Sequence, residues 1–129
     1  VKIAEVGESP APGTVYFAPE KNDLELDARG KFIYSDCPET NKHCPSITAT
    51  FKSIARVYGK ATAGVLLTGL GRDGAEGLQA IAQAGGITVA QDDKGSAFGM
   101  VKEAMSLDAV QQVLAIDKIA PFLIKTISG

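Results

Sequence analysis

Val65-Leu66-Leu67-Thr68-Gly69-Leu70-Gly71-Arg72-Asp73-Gly74-Ala75 is the stretch on which the reading of the fold turns. Its aliphatic and β-branched run predicts a buried strand, broken by glycines that release directly into a helical pattern from about Asp73 to Ala84. In open α/β sheets, ligands and catalytic side chains collect at such strand-to-helix turns, because loops and helix N-termini converge there. Asp73 stands in this turn, and the glycines let the backbone pass close to a partner group. It is therefore the first candidate site residue. Its plain alternative is an acid in the first turn of its own helix, favoured by the dipole by about 0.3–1 kcal/mol.

Downstream, the helix ends at Gly85-Gly86 and a strand follows at Ile87 to Gln91, which completes a βαβ unit. After Asp92-Asp93-Lys94-Gly95 the pattern gives a loop, a short helix near Met100 to Ser106, a brief strand over Val113 to Ile116, and a helix from Asp117 to about Ile127. Upstream, Ser46 opens an amphipathic helix to Tyr58, with apolar residues at Ile47, Phe51, Ile54, Ala55 and Tyr58 and a stop at Gly59. Residues 36 to 45 form a polar loop with two prolines, and Asp23 to Leu26 and Lys31 to Ser35 flank Ala28-Arg29-Gly30 as a hairpin. Thr14 to Ala18 predicts a strand, and Gly7 to Gly13 a loop. Strands alternating with helices predict an α/β fold: a three-layer α/β/α sandwich on a mostly parallel, Rossmann-like sheet, with the hairpin as an antiparallel excursion.

The 129 residues fit a single domain, 1–129. Net charge is -2 and the 13 basic residues are scattered, so nothing points to a nucleic-acid partner or a polybasic membrane patch. With no apolar run near the roughly 20 residues that span a bilayer, and no leader pattern, the expectation is a soluble, cytoplasmic chain. Cys37 and Cys44 are expected to be reduced thiols. The sequence opens at Val1 without a start signal, so a longer protein is expected.

Several chemistries were weighed. Gly69-x-Gly71-x-x-Gly74, with Asp92 closing the next strand, satisfies a dinucleotide fingerprint in letter. Against it, Asp73 would set a carboxylate where the helix N-terminus should meet pyrophosphate, and the unit arrives late in the chain. His43, the one histidine, sits in a loop beside proline, as a solvent-facing residue would. Cys37, His43 and Cys44 do not have the usual zinc spacing, so no metal and no cofactor is expected. No Gly-x-Ser-x-Gly elbow occurs.

Pro12-Gly13-Thr14-Val15-Tyr16-Phe17-Ala18-Pro19, Pro45-Ser46-Ile47, Leu66 through Leu78, Ala84 through Asp92, and Phe98-Gly99-Met100 together resemble the catalytic domain of CheB-type chemotaxis receptor methylesterases. The resemblance covers essentially the whole chain. It implies hydrolysis of glutamate γ-methyl esters on methyl-accepting chemotaxis receptors, glutamine deamidation as a second activity, and control by a phosphorylated receiver domain within a phosphorelay. That family uses a Ser, His, Asp triad, and Asp73 falls on its aspartate. Leu70, between Gly69 and Gly71, falls where the family presents a backbone N–H to the oxyanion, and Thr68, Met100 and His43 are candidates for the substrate face. The family's serine and histidine lie upstream of the residues present here, and His43 does not align with that histidine. The expectation is thus the C-terminal two-thirds of a methylesterase domain, inactive alone, with an exposed sheet edge that invites a homo-oligomer. Asp23, Cys44, Thr48 and Val101 depart from the family's usual histidine, arginine, aspartate and proline. These departures keep open a non-catalytic binding or regulatory module of the same fold, and the fingerprint a nucleotide-binding domain.

Overall fold

Ser46 is extended (φ -92, ψ 126) and its Oγ accepts the Ala49 N–H at 3.3 Å, so the chain turns into helix α1 (Ile47–Tyr58) at the predicted cap. The computed structural model describes residues 1–37, 44–67, 73–91 and 109–128. Gly59, at φ 54, closes the helix, and a single 3₁₀ turn (Gly59–Ala61) leads into strand β5.

Four short strands precede α1. Strands β1 (Lys2–Ile3) and β2 (Tyr16–Phe17) pair in parallel, Lys2 opposite Tyr16. Strands β3 (Asn22–Leu26) and β4 (Phe32–Asp36) form the antiparallel hairpin, within one residue of the predicted ends. Its turn is set locally: the Asp27 carboxylate accepts the N–H groups of Arg29 (2.8 Å) and Lys31 (3.0 Å), and Gly30 supplies φ 79. The other edge of β3 is covered by α1. There, Thr50 Oγ1 donates to the Leu24 carbonyl at 2.6 Å, and the Leu26 N–H donates to Ser53 Oγ at 3.0 Å. Two hydroxyls thus satisfy backbone groups that an open edge would leave to water.

Past α1, β5 (Ala63–Leu66), α2 (Ala75–Gln83) and β6 (Ile87–Gln91) make the predicted βαβ unit, β5 and β6 running in parallel with Val65 opposite Val89. Strand β7 (Gln112–Leu114) adds in parallel to β6, and α3 (Ile116–Ser128) follows. Register at β7 is fixed by one side chain. Gln111 Nε2 donates to the Gly86 carbonyl at 3.1 Å, and the Gln111 N–H to Thr88 Oγ1 at 3.0 Å. The expected α/β class is observed, as mixed parallel and antiparallel sheets with three helices. Among the described residues the parallel strands are divided between two sheets, β1–β2 and β5–β6–β7. The short helix expected near Met100 to Ser106 lies outside the described residues.

Two apolar clusters hold these pieces. Leu66, Ala75, Leu78 and Ala109 are buried together, with Ile47, Phe51 and Val110 packed against them. Ala4, Leu24, Leu26 and Phe32 form the other, with Tyr16, Ala18, Ile54 and Val57. Helix α1 contributes to both, so its two faces couple the hairpin to the βαβ unit. Between α1 and α2 the backbones nearly touch: a Cβ on Gly77 would lie 2.7 Å from Phe51 Cβ and 2.9 Å from Thr48 Cα.

Candidate functional site

Three residues at the start of α1 receive Asp73. Its Oδ1 accepts the Ser46 hydroxyl at 3.0 Å and the Thr48 N–H at 3.1 Å, while Oδ2 accepts the Ile47 N–H at 2.7 Å. The first N–H groups of a helix have no partner within it and carry the positive end of the dipole, so a carboxylate placed there meets donors and favourable field together. The plain reading of Asp73, as an acid in the first turn of its own helix, is corrected by this arrangement. Helix α2 begins at Ala75 behind Gly74, and the carboxylate serves the neighbouring helix instead.

Gly74 explains the geometry. It adopts φ 101, a left-handed conformation that L side chains rarely take, and a Cβ there would lie 2.7 Å from Leu66 Cδ2 and 3.2 Å from Ile47 Cγ2. Its N–H donates to Thr48 Oγ1 at 2.9 Å. A phosphate at this turn would need that donor, so the nucleotide reading loses a contact it requires. Thr48, where the resembling family has an aspartate, thereby joins the two helices through both its amide and its hydroxyl.

Behind Ser46 stands Asp23, buried at 5% exposure, whose Oδ1 accepts the Ser46 N–H at 2.7 Å. Ser46 is therefore gripped from both sides, its amide by one carboxylate and its hydroxyl by the other. The same Asp23 oxygen lies 3.6 Å from Cys37 Sγ. Cys37 and Cys44 are joined as a disulfide, with Cα atoms 6.0 Å apart. This corrects the expectation of reduced thiols: the end of β4 and the approach to α1 converge, at a separation that suits a disulfide. Asp23, Cys37 and Cys44 bring a carboxylate oxygen and two sulfurs within 4.8 Å of one another. With the sulfurs bonded to each other they offer no thiolate to a metal.

Of the residues singled out in the sequence, the structure places Asp73 and gives it its partners. Thr68, Gly69, Leu70, Gly71, Met100 and His43 lie outside the described residues. Sequence reasoning missed Ser46, Ile47 and Thr48 as the seat of Asp73, and Asp23 as the brace of Ser46. Pro45-Ser46 ahead of an apolar repeat did signal a helix N-terminus. Nothing in it named which of the 15 acidic residues would dock there.

Comparison with known proteins adds three findings. Residues 1–123 match the family described as CheB methylesterase. A protein-glutamate methylesterase/protein-glutamine glutaminase of Pseudomonas aeruginosa is 41% identical over 124 residues, 95% of this chain and 37% of the relative, and one from Anaeromyxobacter dehalogenans is 48% identical over 120 residues, 92% of this chain and 35% of the relative. The crystal structure of the Thermotoga maritima CheB methylesterase catalytic domain superposes with a TM-score of 0.86 at 34% identity, covering 96% of this chain and 68% of that domain. The chain thus spans just over a third of the length of the curated relatives it matches.

Proposed function

The chain belongs to the CheB methylesterase family, and from that premise we propose that it is the part of a protein-glutamate methylesterase domain that carries the triad aspartate, Asp73. The serine and histidine come from the part of the domain that these residues do not span, and the single domain 1–129 is its C-terminal two-thirds. The observation that supports this reading most is the seating of the Asp73 carboxylate on three donors at the start of α1. A triad aspartate must hold one orientation, because it has to fix a histidine tautomer and offset the imidazolium charge. Among the described residues Oδ2 accepts one hydrogen bond, which leaves it capacity for an imidazole N–H.

The chemistry is then acyl transfer. The histidine takes the serine proton as Oγ attacks the γ-carbonyl carbon of a methylated glutamate, and the Leu70 N–H, flanked by Gly69 and Gly71, meets the oxyanion. Collapse expels methanol, and water hydrolyses the acyl-enzyme to free glutamate. With glutamine as substrate, the leaving group is ammonia. Methyl-accepting chemotaxis receptors supply the substrate side chains, met by Thr68, Met100 and His43. A receiver domain gates access, and the protein works in the cytoplasm. Among the described residues no helix is long and apolar enough to cross a membrane. Exposed Ile3, Val15 and Phe17 form part of the edge that the remainder of the domain, or a second copy, covers.

Methanol release from methylated receptor by the domain completed upstream is the test. Asp73→Asn should lower turnover by about ten-thousandfold through the wrong tautomer, and turnover within a few-fold of wild type would remove Asp73 from the triad. A second reading, a non-catalytic module of the same fold, is favoured by Asp23 and Cys44 standing where the family has other residues. It predicts no methanol release even from the completed domain.

A further inference from the structure

Cys37 and Cys44 take no part in the triad chemistry, yet they touch the residues that seat Asp73. Cys37 follows β4 directly, and Cys44 lies two residues before Ser46. Cys37 Sγ is 3.6 Å from Asp23 Oδ1 and 3.7 Å from the Lys21 carbonyl. Both neighbours are acceptors. A disulfide sulfur has no hydrogen to give them, whereas a thiol does, so the oxidation state decides whether Asp23 Oδ1 receives a second donor beside the Ser46 N–H at 2.7 Å. From Asp23 the contacts run without a gap through Ser46 to the Asp73 carboxylate. The covalent path is equally short: Cys44, Pro45, Ser46.

We propose that Cys37 and Cys44 are a reversible dithiol–disulfide pair that sets how firmly the first turn of α1 holds Asp73. Neither cysteine is fully buried, so a small oxidant reaches them. Oxidised glutathione is the chemical class of oxidant. The thiolate of Cys44 attacks one of its sulfurs and expels one glutathione thiolate, leaving a mixed disulfide. The thiolate of Cys37 then attacks the Cys44 sulfur of that mixed disulfide and expels the second glutathione. Two protein thiols lose two electrons, one glutathione disulfide gains them, and the two protons pass to the two glutathiones released. In a reducing compartment such a pair is open by default and closes under oxidant load, which is how intracellular disulfides usually serve. Closed, it ties the chain ahead of Ser46 to the end of β4 and steadies the donors beneath Asp73. The consequence for hydrolysis rests on the triad reading of Asp73; the effect on the α1 amides does not.

The 129-residue chain, taken with excess oxidised glutathione and separately with a phosphine reductant, is examined by intact mass and by amide hydrogen exchange. The oxidised form should lose about 2 Da, and the peptide containing Ile47 and Thr48 should exchange about tenfold more slowly than in the reduced form. The Cys37→Ser/Cys44→Ser variant should show one exchange rate under both conditions; if that variant does not fold, the two wild-type states still decide. A mass that oxidised glutathione leaves unchanged, or equal exchange in the two states, would overturn the proposal. So would a reduced protein that carries one zinc ion and resists oxidation, because Asp23, Cys37 and Cys44 would then be a metal site. Asp73→Asn turnover in the completed domain fails or succeeds separately, so loss of the triad reading leaves the exchange result standing.

Discussion

Helix α1 is fastened differently at its two ends. Toward its C-terminus, Ile54 and Val57 lie against Leu24, Leu26 and Phe32, and neutral hydroxyls of Thr50 and Ser53 meet the backbone of β3. Toward its N-terminus, Ile47 and Phe51 pack on the Leu66–Leu78 cluster, but two carboxylates, Asp23 and Asp73, also converge on Ser46 and its neighbours. Apolar packing is tolerant of small shifts, since its energy varies smoothly with area. Hydrogen bonds to charged acceptors are not, because they weaken steeply with angle and leave an unpaired carboxylate when lost. The difference teaches where positional precision is kept: at the end of α1 that receives the candidate catalytic acid.

The comparison can be broken most directly at Gly77. Gly77→Ala should cost about 1–3 kcal/mol, read from the urea midpoint, because the new Cβ meets Phe51 Cβ and the Thr48 backbone and drives α2 away from α1. An unchanged midpoint would mean that the crossing is slack and the N-terminal end no tighter than the other. Ser46→Ala removes the cap of α1 and one donor to Asp73 together, and thermal unfolding should show a loss of about 1 kcal/mol. The same substitution at Ser53, where only a neutral contact to Leu26 is lost, provides the contrast and should cost less.

The smallest effect sharpens the other side. Asp27, at the hairpin turn far from the polar end, has its carboxyl held below the ordinary aspartate value of 3.8, first by the Lys31 N–H and also by the Arg29 N–H. A folded-state value that is depressed contributes stability above 3.8, and that contribution fades as pH falls through the lower folded value. Asp27→Asn should therefore flatten the acid limb of stability slightly and leave the neutral region alone. A larger change at pH 7 than at pH 3 would reverse the sign and the assignment.

Much of this was readable in the letters. The hairpin around Ala28-Arg29-Gly30 and the helix capped by Ser46 are local events, decided by turn chemistry, a capping hydroxyl and a periodic face within a dozen residues. Strand β6 was found at its observed ends for the same reason. The division of parallel strands into two sheets was not, because pairing partners such as Lys2 and Tyr16 are set by packing across the chain. At the site, Asp73 stood out by its setting among glycines, whereas its attachment to α1 depends on a meeting of segments 25 or more residues apart. The cysteine pair was misread because composition speaks to the compartment and not to the convergence of β4 with α1.

The Gln111 clamp bears on how this family can change over time. One side chain grips β6 on the Gly86 carbonyl and the Thr88 hydroxyl, so β7 is indexed by a residue that travels with it. Insertions or deletions between Gln91 and Gln111 are therefore absorbed before the strand is placed, and α3 keeps its seat whatever their length. The fold thereby gives mutation a segment it can lengthen, shorten or rewrite, next to the candidate active site, without renegotiating the sheet.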